Sequence, residues 1–454
     1  MPLLRLLTDR FRGENLQARA LRGSSMTILR IGGENGLRLI SNLILTRLLF
    51  PEAFGIMALV QIFVIGLQTF SDIGIKSSII QSDRGDDPTF LNTAWTMQVL
   101  RGGLLWLGAC ALAWPAAQIY DEPLLASLLP IVGLVVFIDG FRTTNEPLAN
   151  RHLHLGRLVT ILLSTQALGV VIYVGLALWL QSIWALALGN ILLALLRLTA
   201  LNWLLPGARN RFQWDHSSFQ EIFHFGKYIF LATIARFVVT TSDRAILGAN
   251  IDTALLGVFS IGLMMGTLPN LFTRALAQSI LFPLYRLAPP TKSRANQRKL
   301  FRMRRVVSLV AILTLALLAM LGGWLIETLY DPRYILAGPM VVLFALRSVP
   351  ESAFIGTQHV LLANGDSRNF LILTGSIAVI QVALLSAGIA LFGIPGAILA
   401  PTLALLITYP LRIILTHRYG AWDPIGELGA LALGFALTGV GCWLHWDAIG
   451  QLLP

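Results

Sequence analysis

Cysteine is nearly missing from this chain. Cys110 and Cys442 are the two in 454 residues, both inside apolar runs, so neither a disulfide framework nor a zinc site is expected. Charge is scarce as well: 13% of residues are charged, 56% are hydrophobic, and mean hydropathy is +0.72. A soluble domain of this size has no way to bury that much apolar surface, so lipid must be the solvent for most of the chain. Carboxylates are outnumbered by cations, 23 against 34, leaving a formal charge of +11. Residues 1–25 are basic and polar with no apolar core, which argues against a cleavable signal peptide. Long polar connections are also missing, so there is no room for an extramembrane catalytic domain. No motif calls for a cofactor or a resident metal, and none is expected.

Apolar stretches are plentiful. Runs long enough to span, roughly 20 residues at about 1.5 Å each, fall near 26–48, 54–80, 91–118, 124–147, 158–180, 183–205 and 220–247. Others follow near 255–284, 304–328, 336–361, 370–392, 395–416 and 427–446, thirteen in all. Short matches recur along them in one order. Tyr120-Asp121-Glu122-Pro123 returns as Tyr330-Asp331-Pro332, and Leu148-Ala149-Asn150 as Leu362-Ala363-Asn364, with Thr143 and Thr357 at the same offset. Phe54-Gly55 has its counterpart in Leu256-Gly257. Ordered matches of this kind describe a chain made of two copies of one helical bundle, an architecture common among secondary transporters.

The basic residues fix an orientation. With the N-terminus cytoplasmic, Arg5, Arg10, Arg12, Arg19 and Arg22 lie inside, as do the loop residues Arg84, Arg151, Arg157, Arg209, Arg211, Arg368 and Arg418. The connection between the eighth and ninth spans adds Arg286, Lys292, Arg294, Arg298, Lys299, Arg302, Arg304 and Arg305. Arg47, Arg244 and Arg333 fall at outer ends, so the positive-inside rule places the N-terminus in the cytoplasm. The +11 charge is then a topology signal with contacts to anionic lipid, not a nucleic-acid surface.

Some charges lie within the spans. Lys76, Lys227, Arg274 and Arg412 sit close enough to inner ends to snorkel. Arg30, Arg38, Arg101, Arg142, Arg197, Arg236 and Arg347 lie deeper, where a charge costs about 2.5–3.5 kcal/mol even on insertion scales. The first span carries Arg30, Glu34 and Arg38 at four-residue spacing, with Asn42 next in the row, a polar stripe that cannot face lipid. The second span offers Gln61, Gln68, Asp72 and Lys76; the fourth, Asp139 and Arg142; the seventh, Arg236, Thr240 and Asp243; the tenth, Arg347 and Glu351. One alternative is internal pairing: Arg30 with Glu34, Asp139 with Arg142, Arg347 with Glu351. The other is a substrate cavity, with Arg30, Arg38, Arg236, Arg347, Asn42 and Gln68 as binding residues. A surplus of arginine suits a phosphate-bearing substrate, because guanidinium binds phosphate oxygens bidentately. Glu34, Asp72, Asp139, Asp243 and Glu351 are candidate proton carriers, Glu34 first because two arginines flank it. His359 reads as an interface residue. Pro269 and Gly102-Gly103 permit bending, and Pro147 reads as a helix terminus.

The segment Thr46-Arg47-Leu48-Leu49-Phe50-Pro51-Glu52-Ala53-Phe54-Gly55, followed by Asp72-Ile73-Gly74-Ile75 and Gln81, resembles the opening of the polysaccharide transport family. These are Wzx-type oligosaccharide-lipid flippases of the multidrug/oligosaccharidyl-lipid/polysaccharide exporter superfamily. Asp243 through Gly248, Leu256-Gly257-Val258-Phe259-Ser260 and Leu281-Phe282-Pro283-Leu284-Tyr285-Arg286-Leu287 resemble its later helices, so the likeness covers most of residues 25–420. It implies an all-α polytopic membrane protein, with two repeated six-helix lobes around a central cavity. It also implies outward movement of an undecaprenyl-diphosphate-linked sugar repeat across a bacterial inner membrane. The departure is the additional hydrophobic segment at 427–446.

The expected organisation is a basic cytoplasmic segment at 1–25, an N-lobe at 26–205, and the start of a C-lobe at 206–285. A basic cytoplasmic loop at 286–303, the rest of the C-lobe at 304–416 and a C-terminal hydrophobic segment at 417–454 complete it. Expected partners are the lipid-linked oligosaccharide, membrane lipids, and the polymerase and glycosyltransferases of one polysaccharide pathway, with no nucleic acid. A drug or cation antiporter of the same superfamily is the nearest alternative, and surplus arginine speaks against it. A membrane-embedded glycan polymerase or ligase is the other, and the brief outer loops at 119–123, 181–182, 249–254, 329–335 and 393–395 offer it no active site.

Overall fold

The computed structural model describes residues 16–71, 74–287, 289–357, 360–361, 364 and 366–453. Among the described residues the regular elements are all helical. Eight helices are long and apolar enough to cross a membrane, or nine if one bent pair counts as a span. The difference from thirteen has physical causes. The predicted spans at 370–392 and 395–416 are two helices that meet at a kink at Gly393 inside the run Ser367–Ile407, the second continuing into Tyr409–His417, and they count as one. The φ of 58° at Gly393 is open to glycine without a side-chain clash. The stretch at 336–361 is cut into Ala337–Arg347 and Val349–Ala353. The C-terminal segment is a helix, Pro424–Leu444, started by Asp423, which accepts from the Gly426 amide, and long enough to span.

The chain divides into two compact units: Met1–Leu49 with Phe63–Phe230, and Phe50–Ile62 with Leu231–Pro454. The first unit holds α1 (Leu16–Leu48), the second half of α2 (Pro51–Phe70), α3 (Ile75–Gln81), α4 (Pro88–Ile119), α5 (Leu124–Gly140) and α6 (Asn145–Arg151). It continues with α7 (Leu155–Leu180), α8 (Trp184–Leu204) and the beginning of α9 (His216–Gly248). α1 lies along α7, α7 along α8, and α4 along α5.

Gly102 and Gly140 set the α4–α5 approach. A Cβ on Gly102 stands 3.1 Å from the Val136 carbonyl, and one on Gly140 stands 3.1 Å from that of Gln98. Gly102 therefore serves close backbone packing, and α4 runs unbroken through it. α5 and α6 meet at a bend of 59°. Gln98 stabilises that break, its Nε2 donating to the carbonyls of Asp139, Gly140 and Arg142 at 3.0–3.2 Å, where the regular helical bonding ends. Pro147 lies in the first turn of α6, where a missing N–H is tolerated; the helix ends before it, not at it.

After α8 the chain from 205 to 215 has no regular secondary structure, and side chains of α4 accept from its amides. The amides of Arg211, Gln213 and Asp215 donate to Asn92 Oδ1, Thr96 Oγ1 and Thr93 Oγ1, each at 3.1 Å. Asn210 Nδ2 donates to Thr144 Oγ1 at 2.7 Å, fixing the linker to the α5–α6 break.

The second unit holds the first half of α2, most of α9, α10 (Thr253–Leu287), α11 (Arg294–Leu329), α12 (Ala337–Arg347) and α13 (Val349–Ala353). α14 (Ser367–Ile407), α15 (Tyr409–His417), α16 (Pro424–Leu444) and α17 (Trp446–Gly450) complete it. α11 packs on α12 and α16, and α10 on α12. The basic stretch expected as a loop up to residue 303 enters α11 at Arg294, capped by Ser293.

The sequence repeats correspond to repeated local structure. Tyr120 and Tyr330 are the C-caps of α4 and α11. Asn150 and Asn364 each turn back to the carbonyl four residues earlier, at 2.8 Å in both cases. Gly55 and Gly257 meet each other. A Cβ on Gly55 falls 1.8 Å from the Thr253 carbonyl and one on Gly257 falls 1.9 Å from that of Pro51. Only glycine at both positions lets α2 and α10 cross backbone to backbone.

Candidate functional site

The first unit gathers charges from five helices and one break. α1 brings Arg30, Glu34 and Arg38; α3 brings Lys76; the end of α5 and the break bring Asp139 and Arg142; α6 brings Glu146; α8 brings Arg197, facing Gln166 of α7. Arg142 Nη2 lies 2.6 Å from Asp139 Oδ1, and Lys76 Nζ donates to Glu146 Oε1 at 2.6 Å. Arg197 Nη2 donates to Gln166 Oε1 at 2.9 Å. Glu34 and Arg142 both lie within coulombic reach of Arg197, and Arg30 within reach of Glu146. On the neighbouring face Arg101 donates to Ser71 Oγ at 2.9 Å and to the Gln68 carbonyl at 2.6 Å.

Cations outnumber carboxylates here: Arg30, Arg38, Lys76, Arg142 and Arg197 against Glu34, Asp139 and Glu146. Three of them are incompletely satisfied. The Nε atoms of Arg30, Arg142 and Arg197 are buried and have no acceptor among the described residues. Buried polar groups are nearly always hydrogen-bonded, and these three guanidinium donors, with Asp139 Oδ1 beside them also lacking a hydrogen bond, are the departures from that rule in this interior.

The expected residues other than Asp72 and His359 can be located. Arg30 is half-buried and makes no ion pair with Glu34, whereas Asp139 and Arg142 do pair. Arg38 is exposed on α1, within coulombic reach of Tyr173; Asn42 and Gln68 are half-buried. Asp72 and His359 lie outside the described residues, as does the side chain of Lys227. The remaining candidates belong to the second unit. Arg236 is exposed on α9. Arg347 Nη1 donates to Asp243 Oδ2 at 3.0 Å and is not the partner of Glu351. Glu351 is held by Arg274 and by Asn270 Nδ2, the latter at 3.1 Å. The pairing of Arg347 with Glu351 fails because the α12–α13 break at Ser348 interrupts the helical i,i+4 geometry it needs.

Snorkelling was the wrong account of Arg412 and an incomplete one of Lys76 and Arg274, whose side chains are more than half exposed but paired. Lys76 and Arg274 each bridge to a carboxylate beyond a broken helix, Glu146 after the α5–α6 break and Glu351 after the α12–α13 break. Arg412 is buried, donating to Thr357 Oγ1 at 2.8 Å with its guanidinium over the Phe354 ring at 4.7 Å. Arg304, placed in a solvated loop by its sequence context, is buried against Glu427 at 2.6 Å. The missed residues are Gln166, Glu146 and Glu427. Glu146 and Gln166 had a visible signal, a polar side chain beside or inside an apolar run; no partner could be read for either without the fold.

The comparisons agree with this architecture. The succinoglycan biosynthesis transport protein ExoT of Rhizobium meliloti (strain 1021) is 23% identical over 337 residues, 74% of this chain and 68% of that protein. The teichuronic acid biosynthesis protein TuaB of Bacillus subtilis (strain 168) is 20% identical over 301 residues, 66% of this chain and 62%, under two thirds, of its own length. Among solved structures, the lipid II flippase MurJ in an inward closed conformation superposes with a TM-score of 0.65 at 11% identity, covering 94% of this chain and 99% of that one. An inward-facing MATE multidrug resistance transporter of the MOP superfamily gives 0.59 at 13% identity, covering 93% and 98%. At such identity these likenesses establish the fold. The family model described as polysaccharide biosynthesis protein matches residues 44–337, and the chain belongs to that family.

Proposed function

We propose that this protein moves an undecaprenyl-diphosphate-linked oligosaccharide repeat unit from the cytoplasmic to the outer leaflet of a bacterial inner membrane for polysaccharide biosynthesis. It makes and breaks no covalent bond. The observation that carries this reading is the interior of the first unit, where the Nε atoms of Arg30, Arg142 and Arg197 lack acceptors among the described residues. Holding a charge away from water costs several kcal/mol even after relaxation; a diphosphate offsets that by supplying the missing acceptors to planar guanidinium donors. The transport role named for ExoT and the flippase fold of MurJ support the same direction of thought. The surplus of cations disfavours a cationic drug as substrate.

Transport proceeds by exposing this interior to one membrane face and then the other, with the N-terminus cytoplasmic and the lipid tail left in the bilayer. Cysteines at Ser293 and Thr253 check the orientation: an impermeant thiol reagent labels the second and spares the first in intact cells. Outward movement of a diphosphate is assisted by the membrane potential, by about 2.3 kcal/mol per elementary charge per 100 mV. Glu34 is the proposed proton carrier, because among the described residues it has no ion-pair partner while Asp139, Asp243 and Glu351 are each paired.

The decisive experiment uses proteoliposomes loaded with lipid-linked oligosaccharide. Arg142→Ala is expected to abolish translocation with normal protein level, and Arg142→Lys to restore it in part, since a point charge loses bidentate geometry. Normal translocation by Arg142→Ala and Arg197→Ala together overturns the phosphate reading.

A further inference from the structure

Where α4 begins, the first unit carries a groove of about 1020 Å³, walled by the loop before α4, the start of α7 and the 205–211 stretch of the linker. Its volume lies at the upper end of the roughly 300–1,000 Å³ usual for small-molecule sites. Arg157, Arg209 and Arg211 line it, and among the described residues none of the three has a carboxylate within ion-pair distance. The single carboxylate on the wall, Asp86, is engaged elsewhere: Oδ1 meets His152 Nε2 at 2.7 Å and Oδ2 accepts from Arg151 Nε at 3.1 Å. Those contacts, the His152 bond foremost, hold its carboxyl below the usual range, so it stays committed to them.

Two further features concentrate positive potential there. α7 starts without a side-chain cap, and its second residue, Gly156, lines the groove with open space where a side chain would stand. The first N–H groups of a 26-residue helix have no internal acceptor and form the positive end of its dipole. The linker backbone bearing Arg209 and Arg211 is itself fixed by Asn92 and by Asn210, so the arginines are presented from a rigid frame. The rest of the wall is mixed: Leu91, Leu148 and Leu205 give it apolar surface, alongside polar side chains that include Asn145, His152 and His154. Next to it the chain shows lipid-border side chains: Trp203 is 84% exposed at the end of α8, and Phe212 is 66% exposed beside Arg211. Aromatic rings exposed at the end of a span sit at headgroup level.

We infer that this groove binds the phosphate headgroup of an anionic phospholipid from the adjoining leaflet. The phosphate rests on Arg157, Arg209 and Arg211 over the α7 N-terminus, and the chains pass along Leu205 and Trp203 into the bilayer. A free phosphate uses only the charged half of such a site; the apolar surface and the flanking rings select a lipid. This site is separate from the transport interior and does not depend on its substrate.

The test uses the full protein in nanodiscs of equal phosphatidylglycerol and phosphatidylcholine, released and weighed by native mass spectrometry. The protein is expected to retain phosphatidylglycerol preferentially, and R157Q/R209Q/R211Q to lower that preference roughly tenfold. All three side chains are exposed, so the variant folds. Removing the same charge at Arg294, Arg298 and Arg302 is expected to leave the preference intact. Equal retention by the protein and its groove variant overturns the proposal, as does an equal fall in the control variant, which marks a diffuse charge effect. Inorganic pyrophosphate is the second probe. Continued retention of phosphatidylglycerol in its presence supports a lipid site; displacement by bound pyrophosphate makes it a free-anion site and overturns the proposal.

Discussion

In the second unit the Arg304 guanidinium donates to the carbonyls of Ile355 and Ala421 and to Glu427, whose other oxygen accepts from Tyr409 at 3.1 Å. In the first unit Arg197 has one acceptor among the described residues, Gln166, and a buried Nε with none. Other charges follow the same division. Arg347 with Asp243 and Arg274 with Glu351 are matched pairs, while Arg30 and Arg142 retain orphan Nε atoms beside a surplus of cations. The second unit has two exceptions among the described residues: the buried Nε atoms of Arg244 and Arg412 also lack a hydrogen bond, although Thr357 and the Phe354 ring hold the rest of the Arg412 group. The difference separates buried arginines whose acceptors the fold supplies, such as Arg304, from those, such as Arg197, whose missing acceptors the proposed function assigns to the substrate.

The largest expected effect tests the structural half of that contrast. Arg304→Ala leaves Glu427 buried at 3% exposure without its cation. Breaking such a pair costs about 3–5 kcal/mol, and thermal unfolding in detergent should show an early transition or no folded protein. An unchanged melting temperature would break the comparison at once.

A smaller loss is expected at the cap of α14. Asp366 accepts from the Asn369 amide at 3.2 Å and from Tyr419 Oη at 2.7 Å, with Arg418 against it. Burial pulls its carboxyl upward, but the bonds from Asn369 and Tyr419, with Arg418 beside them, prevail and hold it at about 2. Because the folded value is depressed, the stabilisation is complete above the ordinary value of 3.8 and disappears as pH falls toward 2. Asp366→Ala should cost about 0.5–2 kcal/mol at neutral pH and remove that acid-side slope, read from melting curves between the two values.

Arg197→Ala should cost least in stability, within about 0.5 kcal/mol, or even stabilise, since it deletes a charge whose bonds are incomplete. Translocation should nevertheless be lost. A melting shift as large as that of Arg304→Ala would erase the distinction between the units. Glu34→Gln sharpens it further: no stability change is expected, and the response of transport to an imposed pH gradient should vanish. Persistence of that response in the Gln variant would remove Glu34 from the coupling.

The membrane-spanning class was legible in the sequence because hydropathy is a property of each segment by itself, needing no knowledge of neighbours. The repeats were legible too. Tyr120 with Tyr330 and Asn150 with Asn364 occupy matching caps and turns, and caps are local chemistry. That Arg30, Glu34 and Arg38 form a stripe followed from helical spacing, and that such a stripe cannot face lipid followed from the cost of burying charge. Partners did not follow. Whether Arg347 meets Glu351 four residues on or Asp243 on α9 depends on a helix break and on which helix lies beside it. Whether Gly102 bends α4 or seats it against α5 depends on the carbonyl 3.1 Å away. Even Arg304, one of a basic run by sequence, became a core residue once α16 brought Glu427 within 2.6 Å. A single chain segment sets its own hydropathy, period and caps; the identity of the group that completes a buried charge is set by packing between segments far apart in sequence, and only the tertiary structure decides it.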